Sequence, residues 1–173
     1  MLSELEMDIP PDLIELFSAF ADAGVRYLLV GGHAVAAHGR PRSTKDVDLW
    51  VAPGVENIGR ACVALERFGV PQEIVQALRS AKRDDIVWLG RPPMRIDLLQ
   101  TLPAVDFDEA WPRRLLIELN GVPVPVIGKA DLIRNKQAVG RPQDRRDVRL
   151  LTGQSSAPRS PARKRATRKP PKR

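Results

Sequence analysis

The stretch Leu29-Val30-Gly31-Gly32-His33-Ala34-Val35-Ala36-Ala37-His38-Gly39-Arg40-Pro41-Arg42-Ser43-Thr44-Lys45-Asp46-Val47-Asp48-Leu49-Trp50 decides the fold. Its end, continued by Val51, alternates like a strand, which puts Asp46 and Asp48 on one face and Val47, Leu49 and Val51 on the other. Two carboxylates about 7 Å apart along such a strand repel each other beside a core. A divalent cation between them makes the arrangement favourable, because hard cations such as magnesium bind through a few carboxylates plus substrate phosphates. At the start of the stretch, Gly31-Gly32 falls between a buried strand, Arg26 to Val30, and a short Ala-rich helix ending at Gly39. Free backbone N–H groups and the helix dipole favour an anionic phosphate there, and glycine allows close backbone approach.

Working outward, Met94-Arg95-Ile96-Asp97-Leu98-Leu99 repeats the pattern, with Met94, Ile96 and Leu98 on one face and Arg95 and Asp97 on the other. If this strand lies beside the Asp46 strand, three carboxylates converge, which suits a two-metal site with ions about 3.5–4 Å apart.

The remaining elements follow from periodicity and punctuation. Pro10-Pro11 opens a helix that runs to Ala23 before Gly24. Arg40 to Lys45 is a polar connector, and Pro53-Gly54 turns the chain into a helix from Val55 to Phe68. A helix is expected over Pro71 to Arg79. Strands over Asp85 to Leu89 and Met94 to Leu99 are joined hairpin-fashion by Gly90-Arg91-Pro92-Pro93. A second hairpin pairs Leu115 to Leu119 with Val122 to Ile127 around Asn120-Gly121, and its two prolines, Pro123 and Pro125, predict an edge or irregular strand. Helices over Lys129 to Val139 and Pro142 to Leu151 close the domain. The sum is an α/β (α+β) fold, a mixed sheet with flanking helices, a C-terminal helix pair and a disordered basic tail.

The net charge of +7 is unevenly placed: from Ser155 onward there are 8 basic residues and no acidic one. Taking those eight from the 28 leaves 20 basic against 21 acidic residues, a near-neutral body. The division expected is a domain over residues 1–153 and a disordered tail over 154–173, able to hold RNA by counterion release or merely to aid solubility. One cysteine, Cys62, excludes an internal disulfide framework. No run is long and apolar enough for a membrane span and the N-terminus is acidic, so the expected location is cytoplasmic, away from any membrane.

Leu29-Val30-Gly31-Gly32, thirteen residues, then Asp46-Val47-Asp48-Leu49 resembles the signature of the DNA-polymerase-β-like nucleotidyltransferase superfamily. His33 to Arg40 and Arg42 to Asp48 resemble its AbiEii/MenT-type toxin branch of small bacterial enzymes. Leu132-Ile133-Arg134-Asn135-Lys136-Gln137-Ala138 is similar to that branch's lysine-bearing helix, with Asn135 where an acidic residue is usual. Arg141-Pro142-Gln143-Asp144-Arg145-Arg146-Asp147 is similar to its last motif, with Gln143 where lysine is usual.

The resemblance implies transfer of a nucleoside monophosphate from an NTP to an acceptor hydroxyl, with loss of pyrophosphate. Asp46, Asp48 and Asp97 would ligate magnesium or manganese, and Asp97 would help deprotonate the acceptor. Gly31 and Gly32 would hold the triphosphate, with Arg42, Thr44 and Lys45 beside it. Lys136 would contact phosphate as a point charge, and Asp144 or Asp147 would orient that lysine or the base. The acceptor implied is tRNA or another RNA, with a cognate antitoxin as a partner protein. A small antibiotic-like molecule, a protein acceptor, and a non-catalytic nucleotide- or RNA-binding module are the alternatives. His33 reads as a helix-start residue, His38 as a surface one, Trp50 as a packing residue with base stacking as the alternative, Trp88 and Trp111 as packing residues, and Cys62 as a buried apolar group.

Overall fold

The structure, a computed structural model, describes residues 7, 9–40, 42–91 and 93–154. Apart from Gln154, the expected basic tail lies outside the described residues. Helix α1 (Pro11–Asp22) leads into β1 (Tyr27–Val30), α2 (Gly31–Ala37), β2 (Asp46–Val51), α3 (Val55–Phe68) and α4 (Gln72–Ser80). Then come β3 (Val87–Arg91), β4 (Met94–Leu99), the single turn α5 (Phe107–Ala110), a 3-10 turn (Trp111–Arg113), β5 (Leu115–Leu119) and β6 (Val122–Val126). Helices α6 (Lys129–Val139) and α7 (Pro142–Leu151) complete the order.

The six strands form one mixed sheet in the order β3-β4-β2-β1-β6-β5. Strands β1 and β2 are antiparallel, β2 and β4 parallel, and β3 and β4 antiparallel. Period-two alternation then gives the sheet two chemically different faces. On one face lie Tyr27, Leu29, Val47, Leu49, Val51, Ile96, Leu98, Val87 and Leu89, all buried. Helix α1 covers this face: Phe17 stacks on Tyr27 at 5.9 Å between ring centroids, and Phe20 meets it edge-on at 5.2 Å. Helix α3 packs beside α1, and α4 beside α3. Burying such side chains stabilises by about 1.5–3 kcal/mol each, so this layer is the core.

The other face is divided. Trp50 is fully buried there under Phe107 of α5, 4.9 Å away and edge-on, so it is a packing residue. Asp46, Asp48, Arg95, Asp97 and Trp88 occupy the rest of the same face. One end of the face is therefore apolar and closed by α5, and the other is charged.

Three expectations need correction. Strand β6 is not at an edge: it lies between β1 and β5. Its prolines are tolerated because of where their nitrogens point. The Ile127 N–H donates to the Leu29 carbonyl of β1 at 3.0 Å, and alternation turns the nitrogens of Pro125 and Pro123 toward the same side. The missing donors therefore face β1, and β6 makes one registered pair with it, Leu29 with Val126. Pairing with β5 runs the full strand, from Leu115–Val126 to Leu119–Val122. His38 is not a free surface residue, since its Nε2 lies 2.8 Å from the Ile127 carbonyl and ties the end of α2 to the end of β6. Trp88 is not packed in the core; it is 61% exposed.

Candidate active site

The sheet register builds the site. Trp88 of β3 stands opposite Asp97 of β4, Asp97 opposite Asp48 of β2, and Asp48 opposite Val30 of β1. Two residues along, Gly90, Arg95 and Asp46 form a second row across β3, β4 and β2. Because β1 runs antiparallel to β2, its C-terminal end delivers Gly31-Gly32 beside the N-terminal end of β2. The three carboxylates and the glycine turn are thus neighbours in space, although Gly31 and Asp97 stand 66 positions apart in the sequence.

Gly31 carries φ +66°, a backbone conformation that costs an L side chain energy, and a Cβ placed there would overlap the Asp48 carboxylate. A Cβ on Gly32 would lie 2.5 Å from an Arg42 guanidinium nitrogen and 2.9 Å from Thr44 Cβ. The two glycines therefore leave room for Asp48 on one side and for Arg42 and Thr44 on the other. Thr44 Oγ1 donates to the Asp46 carbonyl at 3.2 Å, and Lys45 is exposed beside it.

Burial, with Asp97 and Asp46 nearby, pushes the Asp48 carboxyl up to about 6, against the pull of Lys136 and Arg141. That is the signature of more negative charge than the fold alone accommodates. Arg95 offsets part of it: its Nε donates to Asp97 at 2.7 Å, and a terminal nitrogen reaches the other Asp97 oxygen at 3.1 Å and Asp46 at 3.5 Å. With Arg95 so placed, no three acidic, His or Cys groups among the described residues stand ready as a metal cage. The donor set nonetheless fits a hard cation: three carboxylates on adjacent strands, one of them raised to about 6 by burial and by the other two.

The C-terminal helix pair supplies a buried ion network. Lys136 on α6 is 4% exposed, and its Nζ donates to Asp147 at 2.6 Å and to Asp144 at 3.4 Å, both on α7. Arg42 reaches the second Asp147 oxygen at 3.1 Å, linking α7 to the connector before β2. Arg141 caps α7 through Asp144, with its backbone N–H at 3.2 Å and its Nε at 2.8 Å from Oδ2. Burial alone would raise the Asp144 carboxyl, but the Arg141 bonds and the Lys136 charge hold it below the usual range. Lys136 is thus held between two carboxylates within the helix pair. The His33 imidazole, buried at the start of α2, is lowered below its ordinary pKa by desolvation and by the Arg42 charge.

Two residues of this face join the site only through the fold. Alternation puts Arg95 on the Asp97 face, and that shared face is the one signal of its role in the sequence. Trp88 carries no such signal, because only the β3–β4 register puts it against Asp97. Clefts of about 470 and 390 Å³, sharing Pro53, Arg83 and Gln100, lie where β2 and β4 end, away from the carboxylates.

No family model matches the sequence, and no curated protein does. Solved structures do. The lincosamide antibiotic adenylyltransferase LnuA, with lincomycin bound, is 15% identical with a TM-score of 0.56, over 85% of this chain and 98% of that one. A Thermotoga maritima protein put forward as a nucleotidyltransferase is 14% identical with a TM-score of 0.55, over 88% and 99% of the two chains. ANT(2″)-Ia in complex with adenylyl-2″-tobramycin is 18% identical with a TM-score of 0.53, over 82% and 86%. This chain has the nucleotidyltransferase fold that those structures share.

Proposed function

We propose that the chain transfers a nucleoside monophosphate from an NTP to an acceptor hydroxyl, and that the acceptor is an RNA end, in the manner of a toxin–antitoxin enzyme. The observation that carries the reading is the registered row Asp97–Asp48, joined by Asp46, with the Asp48 carboxyl pushed to about 6. Such a row is unfavourable by itself and is expected at functional sites.

In the reaction, the acceptor oxygen forms a bond to the α-phosphorus while the bridging α–β P–O bond breaks. The electron pair of that bond leaves with pyrophosphate, and the acceptor proton passes to Asp97 or to water. Asp46, Asp48 and Asp97 would hold magnesium or manganese, which supplies charge stabilisation for the attacking and leaving oxygens. The Gly31 and Gly32 amides, with Arg42, Thr44 and Lys45, would receive the triphosphate. Lys136 acts at one remove: with Asp144 and Asp147 it fixes Arg42 and lends positive charge to Asp48.

A second reading, a small antibiotic-like acceptor, is favoured by the lincomycin and tobramycin ligands of two of the similar structures. Against it stand the open Trp88 ring with Arg95 beside it and the excess of eight positive charges from Ser155 onward. A cognate antitoxin as partner, or as acceptor, belongs to the first reading.

The test uses the full chain with each labelled NTP, a divalent cation, and in turn total tRNA, lincomycin, tobramycin and a cell protein extract. Label on RNA, absent with Asp48→Ala, supports the proposal. Label on an antibiotic or a protein alone replaces the acceptor. Nucleotide binding without transfer to any acceptor overturns the enzyme reading in favour of a binding module.

A further inference from the structure

We propose that Trp88 is the platform on which the terminal base of the acceptor RNA stacks, on the ring surface that Arg95, lying over the ring, leaves open. This rests on the transferase reading above and names its acceptor subsite.

The register sets the order across the sheet: Gly31-Gly32 beyond β1, then Asp48, then Asp97, then Trp88. Neighbouring strands are about 4.8 Å apart, so the Trp88 backbone stands roughly 10 Å from that of Asp48, on the side away from the glycine turn. An in-line displacement brings the nucleophile in opposite the leaving pyrophosphate. With the triphosphate at the glycine turn, the acceptor arrives from the β3 side, where Trp88 lies.

The exposure of Trp88 is itself informative. Trp50 is 1% exposed under Phe107, and Trp111 is covered by Arg114 at 4.0 Å and Arg26 at 5.1 Å. Trp111 is half-buried, and Trp88 is the most open of the three, at 61% even with Arg95 over its ring. Gly90, next on the same face, has no side chain to cover the flank of the ring. The Arg95 guanidinium lies 5.6 Å from the ring centroid while bonded to Asp97, so a planar cation bridges platform and carboxylates. Unpaired bases stack on aromatic rings and guanidinium planes, and a cation beside them attracts the phosphate backbone. A polycationic aminoglycoside would meet Arg95 as a like charge.

The experiment measures binding of a short single-stranded RNA to the full chain by fluorescence anisotropy, with an intact or an abasic 3′-terminal nucleotide. Trp88→Ala is expected to weaken binding of the intact end by roughly 5- to 150-fold, the range for removal of one base–aromatic stack. Trp88→Phe restores most of it. On the abasic end the wild-type chain and Trp88→Ala bind alike. In the transfer assay KM for RNA rises with Trp88→Ala, whereas KM for NTP and kcat at saturating RNA stay put. Equal binding of intact RNA by wild type and Trp88→Ala overturns the platform, as does a rise in KM for NTP instead. The binding comparison decides the platform whether or not label moves; a wild-type chain that labels no acceptor sinks the transferase reading separately.

Discussion

Asp48 makes the conflict between stability and chemistry measurable. Its carboxyl is raised from 3.8 to about 6, so the folded chain holds a proton that the unfolded chain releases at lower pH. The sign follows: without divalent cation, stability falls as pH rises from about 4 to about 6, by roughly 3 kcal/mol, and is flat above. In EDTA at pH 8, Asp48→Asn should therefore raise stability by roughly 1–3 kcal/mol, and the gain should shrink below pH 5. It should lower nucleotidyl transfer by about 100-fold or more. Urea unfolding at the two pH values reads the first effect, and an Asn variant no more stable than wild type at pH 8 would refute it. Lys136 behaves oppositely. Lys136→Met leaves Asp144 and Asp147 buried without their shared cation, and should cost roughly 3–5 kcal/mol in the same unfolding assay. The carboxylates are legible in the sequence because an Asp between apolar strand residues is chemically conspicuous. Arg95 and Trp88 are not, since an arginine and a tryptophan on a strand are ordinary until a cross-strand neighbour gives them a task.

At the scale of elements, α2 depends on one atom that is missing. Gly31→Ala would place a methyl group into the Asp48 carboxylate and force φ +66° on an L residue. A drop of at least about 1 kcal/mol in stability is expected, together with abolished transfer, because Asp48 or the turn must move. A fully active Gly31→Ala chain would show that the close approach is dispensable. His38→Ala, which removes the bond to the Ile127 carbonyl, should cost about 1 kcal/mol and leave the carboxylates in place. Strands β2 and β4 and helices α3, α6 and α7 have the bounds that periodicity and Gly/Pro punctuation predict, since each has a sharp start and stop. The turn α5 shows no helical period in the sequence, since four residues are too few, and Phe107 is fixed by distant Trp50 as well as by Trp111 next to it. The position of β6 is illegible for a different reason, because proline reports a missing donor without saying which strand lies on that side.

Over the whole molecule, charge is sorted by location. The body is near neutral, and the residues after Ser155 carry 8 positive charges and no negative one. Deleting 155–173 should lower RNA affinity at low salt and flatten its dependence on salt concentration. The log–log slope should fall by about 0.7 for each single-strand phosphate that the tail neutralises. Equal slopes for the full and shortened chains would remove the tail from RNA binding. No helix among the described residues is long and apolar enough to cross a membrane. The layered order of the fold is legible because two faces of one sheet, one apolar and one half acidic, can be read from alternation alone. Which helices cover which half is not, because that depends on pairings between residues far apart in sequence.

The single registered pair between β1 and β6 is the narrowest seam in the sheet, closed further by the His38–Ile127 bond. Four strands on one side hold the carboxylates; the proline-bearing hairpin on the other runs through Gly128 into α6 and so governs where Lys136 stands. Because Lys136 holds Asp147 and Asp147 holds Arg42, the seating of that hairpin is felt as far away as the connector before β2.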